Sequence, residues 1–419
     1  MTMRKGFGVM RPAIQEVMKA TGCDKWPERW NGLYDSLMEQ YEKYGCELTD
    51  PDFYDRLNDK YDGMLEELTD DYKNAAREIG KDDSFSRLLV IVAAALCDRE
   101  NIYADLKVFT PPKTADRSRS IKHDMFPAIA TCAVADYTYG LLTARGLPKE
   151  QIDYGMRCHN GMIRTFKARN NGAPGAMSWV WYQLAVDARL YGIGRLQMEV
   201  FAKFYSKAVV FENAAGENIT LACKHKLHRD GMSLGSKYYE DETDSWIAEL
   251  EESDTEYIGH PYDERGFVKK EKITLKKDEW KKILEPGDAV LGVHIPPGGG
   301  LTEELVDESF RLTKQFLADY FPDFDYKGFV CESWLMDRQL VEMTGESSNI
   351  SKFCKRFTPC CVRSNAGGVF NFVFMKYELC DVVYEELSEN TSLERKLKEK
   401  YLSGGAIYET YGFIPKNKL

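Results

Sequence analysis

The sequence predicts an α+β protein in two parts: a helical domain over residues 1–190, then a mixed β-sheet domain with flanking helices over 191–419. Three observations predict it. Apolar residues before Gly192 recur at helical spacing, with no hairpin signal among them. After Gly192 the pattern changes to short alternating or wholly apolar runs of strand length. Those runs outnumber the helices that could serve as crossovers between them, which favours α+β over a doubly wound sheet. A chain of 419 residues is long enough for two or three domains with their own cores.

In the first half, Thr49-Asp50-Pro51 supplies a cap and a first-turn proline for an acidic helix. Its apolar face is Phe53, Leu57, Tyr61, Leu65 and Leu68. Asp82-Asp83-Ser84 opens a second helix, whose run Leu88 to Cys97 is too short to cross a bilayer and reads as a core helix. Thr110-Pro111-Pro112 ends that region. Further helices are predicted over about Ala128–Ala144, closed by Gly146 and Pro148, and over about Ala176–Tyr191.

In the second half, strands are predicted at Gly194–Val200, Ala208–Phe211, Ile219–His225 and Lys272–Leu275. The acidic stretch Tyr239–Glu256 reads as a surface loop or short helix. Lys327–Trp334 reads as a buried strand with a polar end. Arg338 to Met343 starts a helix, Val369–Phe374 is a strand candidate, Ser392–Leu402 a helix and Ala406–Ile414 the last strand.

Composition excludes some classes. Hydrophobic residues are 43% and aromatic residues 12%, which is incompatible with a disordered chain. A net charge of −11 argues against non-specific nucleic-acid binding. No signal peptide or membrane span is read, so a cytoplasmic protein is expected. The eleven cysteines are odd in number, scattered and without a Cys-x-x-Cys pair, as in a protein with reduced thiols. Cys223, His225 and His228 have zinc-ligand identities, but strand geometry would turn His228 away and no second pair is near, so no metal is expected. Cys360 and Cys361 are neighbours that follow Pro359 and read as a loop before a strand.

The most specific segment is Asp288–Thr302. Ala289, Val290, Leu291, Val293 and Ile295 form a strand, Pro296-Pro297 end it, and Gly298-Gly299-Gly300 follow at once. Thr302 can cap a helix running to about Tyr320. A glycine turn that opens a helix offers bare N–H groups to a phosphate or pyrophosphate. The competing reading is a simple turn, since Glu303 and Glu304 suit a helix start but oppose an anion.

The order of these elements resembles a GNAT-type acyl-coenzyme A transferase. More closely, the chain resembles bacterial acyltransferase-domain proteins that join a helical N-terminal domain to a GNAT-like C-terminal domain. The residues carrying this are Gly194–Gln197, Val293–Leu301, Phe329–Asp337, Ser348–Ile350, Arg356-Phe357 and Thr391–Arg395 with Gly404. The resemblance implies a GNAT-like domain over 191–419 with acyl-CoA, in the simplest case acetyl-CoA, as co-substrate. Ile295, Gly298, Gly299, Gly300, Leu301 and Thr302 would then hold its pyrophosphate. Gly298 and Gly300 match the family's Gly-x-Gly, whereas Ile295 stands where the family has Arg or Gln. The tail Tyr408–Phe413 resembles the family's Tyr-x-x-x-Gly-Phe ending, which would make Tyr408 the proton donor to the departing thiolate.

Acyl transfer to an amine also needs a base, because holding a lysine-like amine uncharged at pH 7 costs about 4.6 kcal/mol. His294, at the end of the strand before the glycine turn, is one candidate, against a histidine satisfied by a backbone carbonyl. Glu332, at the end of the next predicted strand, is the other, against a surface carboxylate. Cys331 is a nucleophile candidate ranked below direct transfer, and Trp334 reads as core. The expected activity is N-acyl transfer to a small-molecule or peptide amine; the alternative is a GNAT-like binding module without turnover. The sequence does not address oligomeric state.

Overall fold

The computed structural model describes residues 11–114, 118–176, 179–234, 243–365, 367–375 and 382–419. The backbone divides into two compact units, Met1–Leu190 and Tyr191–Leu419.

The described part of the first unit is helical, with its principal helices at Arg29–Tyr44, Pro51–Lys60, Thr69–Gly80, Asp83–Cys97, Ala135–Ala144 and Lys149–Arg169. Asp50 caps the Pro51 helix by accepting from the Asp52 amide. That helix ends at Lys60, because Asp62, Gly63 and Glu66 all take positive φ, and a 3₁₀ turn carries Leu68. Asp82 accepts from the Ser84 and Phe85 amides and starts Asp83–Cys97. This helix buries Leu88, Leu89, Ile91, Val92 and Leu96 as a core element, in line with its uniform apolarity. The segment expected as one helix over 128–144 is split by a 3₁₀ turn at Cys132–Val134. The helix expected up to Tyr191 is observed at Trp179–Val186, because the first strand already begins at Leu190.

The second unit is built on fourteen described strands: β1 Leu190–Ile193, β2 Leu196–Lys203, β3 Ala208–Asn213, β4 Asn218–Ala222, β5 His225–Leu227, β6 Trp246–Ala248, β7 Leu250–Glu252, β8 Glu256–Gly259, β9 Ile273–Lys276, β10 Trp280–Leu284, β11 Ala289–His294, β12 Gly328–Ser333, β13 Thr358–Asn365 and β14 Tyr408–Pro415. The main sheet has the order β1-β2-β11-β12-β14-β13. Only β11 and β12 run parallel among its registered pairs, joined through the helix Glu303–Tyr320. Small antiparallel sheets, β10-β3-β4, β5-β6 and β7-β8-β9, complete the unit.

Several expectations are corrected. The acidic stretch Tyr239–Glu256 contains β6 and β7 beyond residue 242, paired with β5 and β8; its earlier residues lie outside the described ones. Cys360 and Cys361 lie within β13 itself, both buried. Val369–Phe374, expected as a strand, forms the end of the helix Gly367–Phe372 and the turn that follows it. A short apolar run fits either period, and tertiary packing decided it: the tilted rings of Phe370 and Tyr401 lie 4.7 Å apart in a satellite core with Val369, Leu340 and Leu397.

One irregularity governs the sheet. Between the pairs Val290↔Ala202 and Gly292↔Glu199, β11 has one residue and β2 has two. β2 therefore carries a bulge, and Phe201 adopts φ 62° within it. Upstream of the bulge Leu196, Met198 and Val200 are buried and Gln197 and Glu199 are half-buried. Downstream, Ala202 enters the core formed by Phe204, Val290, Val330, Tyr411 and Phe413.

Candidate active site

β11 and β12 are registered at only two positions, Leu291↔Phe329 and Gly292↔Val330. Beyond them, Val293-His294 and Cys331-Glu332-Ser333 are not paired with each other, and the parallel strands part at their C-terminal ends. Strand ends of this kind form ligand crevices in open sheets.

His294 lies on the face of β11 that also carries Val290 and Gly292. Its Nε2 is 3.2 Å from Glu199 Oε2 on the neighbouring β2. A carboxylate only accepts, so Nε2–H is the donor and Nδ1 becomes the basic nitrogen of the ring. Gly292 makes room for this pair. A Cβ there would stand 3.1 Å from Glu199 Oε2 and 3.3 Å from His294 Nε2. The β2 bulge is what sets Glu199, rather than Val200, opposite Gly292.

Glu332 is exposed on β12 and opposes Tyr411 on β14. Tyr411 is buried, and burial pushes its phenol above the usual range, with the charges of Glu332 and Glu199 adding to the effect. Glu199, Glu332 and Tyr411 thus share one electrostatic neighbourhood. The floor beneath it is apolar, formed by Val290, Val330 and Phe413, with the Phe204 ring 5.5 Å from Tyr411.

The other candidates lie elsewhere. Cys331 alternates with Glu332 and is buried on the opposite face of β12, where burial raises its thiol far from the thiolate range. That placement does not suit a nucleophile. Phe329, two residues earlier on that face, meets the Phe310 ring at 5.0 Å. Tyr408 precedes Tyr411 by three residues on β14, past the last β12 pair, Ser333↔Thr410. Its amide donates to Asp337, its ring packs on Phe267, and burial raises its phenol. The geometry sets Tyr411, not Tyr408, beside Glu332. Trp334 is buried in the satellite core. His225 is engaged at both ring nitrogens, by Cys223 O at 2.7 Å and Ser233 Oγ at 3.0 Å. Among the described residues no group of three metal-ligating side chains gathers.

The glycine turn follows His294. Gly298 takes φ 107°, which L side chains rarely adopt. Thr302 caps the helix Glu303–Tyr320 by accepting from the Leu305 amide. Ile295 and Leu301 flank the glycines in irregular backbone. The acidic start of the helix is offset from elsewhere in the chain. Glu303 pairs with Lys352 at 2.6 Å and lies 4.0 Å from Arg356, which also binds Asp307. The expected repulsion of an anion is therefore partly neutralised by cations about fifty residues away. Sequence reasoning missed Glu199, Gly292 and these two cations, because only strand register and tertiary packing bring them to the site.

Fold and site together define a GNAT-like acyltransferase architecture. The GNAT-like C-terminal domain family matches residues 190–414, and the chain belongs to that family. Among solved structures it is similar to an acyltransferase in complex with decanoyl-CoA and teicoplanin, at 18% identity and TM-score 0.59, over 96% of this chain and 99% of that one. The same values hold for an acyltransferase variant in complex with octanoyl-CoA and for an acyltransferase in complex with CoA and 10C-teicoplanin. No curated protein matches the chain. No described helix is long and apolar enough to cross a membrane.

Proposed function

We propose that the chain transfers an acyl group from a coenzyme A thioester to an amine, with Gly298–Thr302 receiving the pyrophosphate. The observation that carries this reading is the pair His294–Glu199 at the parting of β11 and β12, directly before the glycine turn. The solved relatives bound to decanoyl-CoA, octanoyl-CoA and CoA support the coenzyme. They also support acyl chains longer than acetyl, and the teicoplanin complexes support a peptide-like acceptor.

In this reading the amine nitrogen attacks the thioester carbon and the C–S bond breaks. His294 Nδ1 takes the amine proton, and the imidazolium returns it to the departing thiolate. Glu199 fixes the tautomer and orientation of the ring. Glu332, exposed at the same mouth, holds the ammonium form of the acceptor, which releases one proton to solvent before the attack. The phenol of Tyr411 is buried and raised, so it supports the wall of the crevice and donates no proton.

The test is a thermal-shift series with acetyl-, octanoyl- and decanoyl-CoA, followed by transfer assays on amines. A ligand at 100 times its dissociation constant adds about 2.7 kcal/mol of stability. Gly300 has ordinary φ, and a Cβ there meets only Thr302 Cγ2 at 3.9 Å and Asn349 Nδ2 at 4.0 Å. Gly300→Val should therefore fold normally and lose the shift, because its branches fill the space beside the turn. No shift of the wild type with any CoA thioester at millimolar concentration would overturn the proposal. Binding without transfer would favour a module that holds the coenzyme and does no chemistry.

A further inference from the structure

We infer that Arg195 is the residue that positions the glycine turn for its anion, an assignment that rests on the proposed coenzyme A reading. Arg195 stands in the tight turn between β1 and β2. Its Nη2 donates to Gly298 O at 2.8 Å and its Nε donates to Gly299 O at 3.0 Å. In a trans peptide the C=O and N–H of one unit point in opposite directions. With both carbonyls drawn to the guanidinium, the N–H groups of Gly299 and Gly300 are turned away from it. Among the described residues neither amide donates to an acceptor within the chain. The turn is uncrowded at its first glycine: a Cβ on Gly298 would meet nothing within 4 Å. Successive backbone N–H groups turned the same way form an anion-binding concavity.

Arg195 is itself held in place. Its amide donates to Ser309 Oγ at 2.8 Å, and Ser309 Oγ donates to Leu305 O at 2.7 Å, in the first turns of the helix Glu303–Tyr320. Gly194, with φ 61°, is required beside it, since a Cβ there would come within 2.6 Å of Ser309 Oγ. The guanidinium makes no ion pair among the described residues, and partial burial alone perturbs it. Carbonyls satisfy part of its hydrogen-bonding capacity but leave its charge unneutralised. The site thus combines two aligned amides with an uncompensated cation behind them. The Asn349 amide also lies near the turn, 4.0 Å from a Cβ on Gly300. This chemistry suits the paired phosphates of coenzyme A and offers nothing to its pantetheine arm.

The experiment follows from that difference. Binding of coenzyme A and of pantetheine, which lacks the pyrophosphate, is measured by titration calorimetry on wild type, Arg195→Ala and Arg195→Lys. Melting curves establish that each variant is folded. Loss of charge-assisted hydrogen bonds predicts that Arg195→Ala weakens coenzyme A by roughly tenfold to hundredfold and leaves pantetheine within about twofold. Arg195→Lys keeps the charge but not the fork, and should recover part of the loss. A merely structural role would weaken both ligands alike, and that result overturns the assignment. So does a folded Arg195→Ala that keeps the wild-type preference for coenzyme A, while leaving the acyltransferase reading standing. A wild type that binds coenzyme A no better than pantetheine removes the pyrophosphate site and this assignment with it.

Discussion

His294 and His159 occupy opposite circumstances in their two units. His159 lies inside the helix Lys149–Arg169, stacked on Tyr182 at 4.2 Å, with Nε2 3.4 Å from the Tyr182 carbonyl. Burial pushes its pKa down to about 4, so it is neutral at pH 7. His294 is half-buried at a strand end and meets a carboxylate instead of a carbonyl. A carbonyl in a dry core holds one tautomer of a neutral ring. A carboxylate at an open strand end also holds one tautomer, but leaves the ring half-exposed at the mouth of the crevice. In the proposed mechanism the same residue type serves packing in one region and chemistry in the other, and the partner and the access of water distinguish the two.

The comparison breaks first at His294. His294→Ala should lower turnover by about 10²–10⁴ with coenzyme A affinity nearly unchanged, as loss of a general base does. Steady-state kinetics with the best thioester checks this, and full activity would remove His294 from the mechanism.

At His159 the expected effect is on stability. The folded value lies below the unfolded one near 6.5, so the unfolded chain binds the extra proton between about pH 6.5 and 4. The contribution is complete above pH 6.5 and is lost as pH falls through that window, by on the order of 3 kcal/mol. His159→Phe keeps the stack on Tyr182 and removes the titration. Denaturation midpoints from pH 7 to 4.5 should fall less steeply in the variant than in the wild type; equal slopes would contradict the buried neutral ring.

The smallest effect sharpens the contrast in partners. Glu199→Gln keeps a hydrogen bond to His294 and removes the charge. It should cost about tenfold to hundredfold in turnover, less than His294→Ala, while leaving the melting temperature within a few degrees. A loss as large as that of His294→Ala would make the carboxylate itself a participant.

What could be read in the sequence was local. The strand before the glycine turn, the Thr302 cap and the apolar helix through Leu88–Cys97 are dictated by neighbours within a few residues, and each is found in the structure. His294 and Glu332 could be named as candidates because strand ends carry chemistry. Glu199 could not, because its place opposite Gly292 depends on one extra residue in β2, and neither Phe201 nor its neighbours announce a bulge. The helix Gly367–Phe372 was misread because an apolar run of six fits both periods. Lys352 and Arg356 were illegible as partners of Glu303, since only packing between the helices Glu303–Tyr320 and Asn349–Lys355 joins them.

The bulge at Phe201 makes the reading frame of a single strand part of the chemistry. Closing the bulge without removing a residue, with Ala202 still opposite Val290, would turn the strand before it over. Val200 would replace Glu199 opposite Gly292, and Leu196 would take the place of Arg195 beside the glycine turn. Hydropathy, length and nearly every contact of the distal sheet would survive. Substitutions in β2 can therefore be gradual in effect, whereas loss of the bulge at constant length is all or nothing.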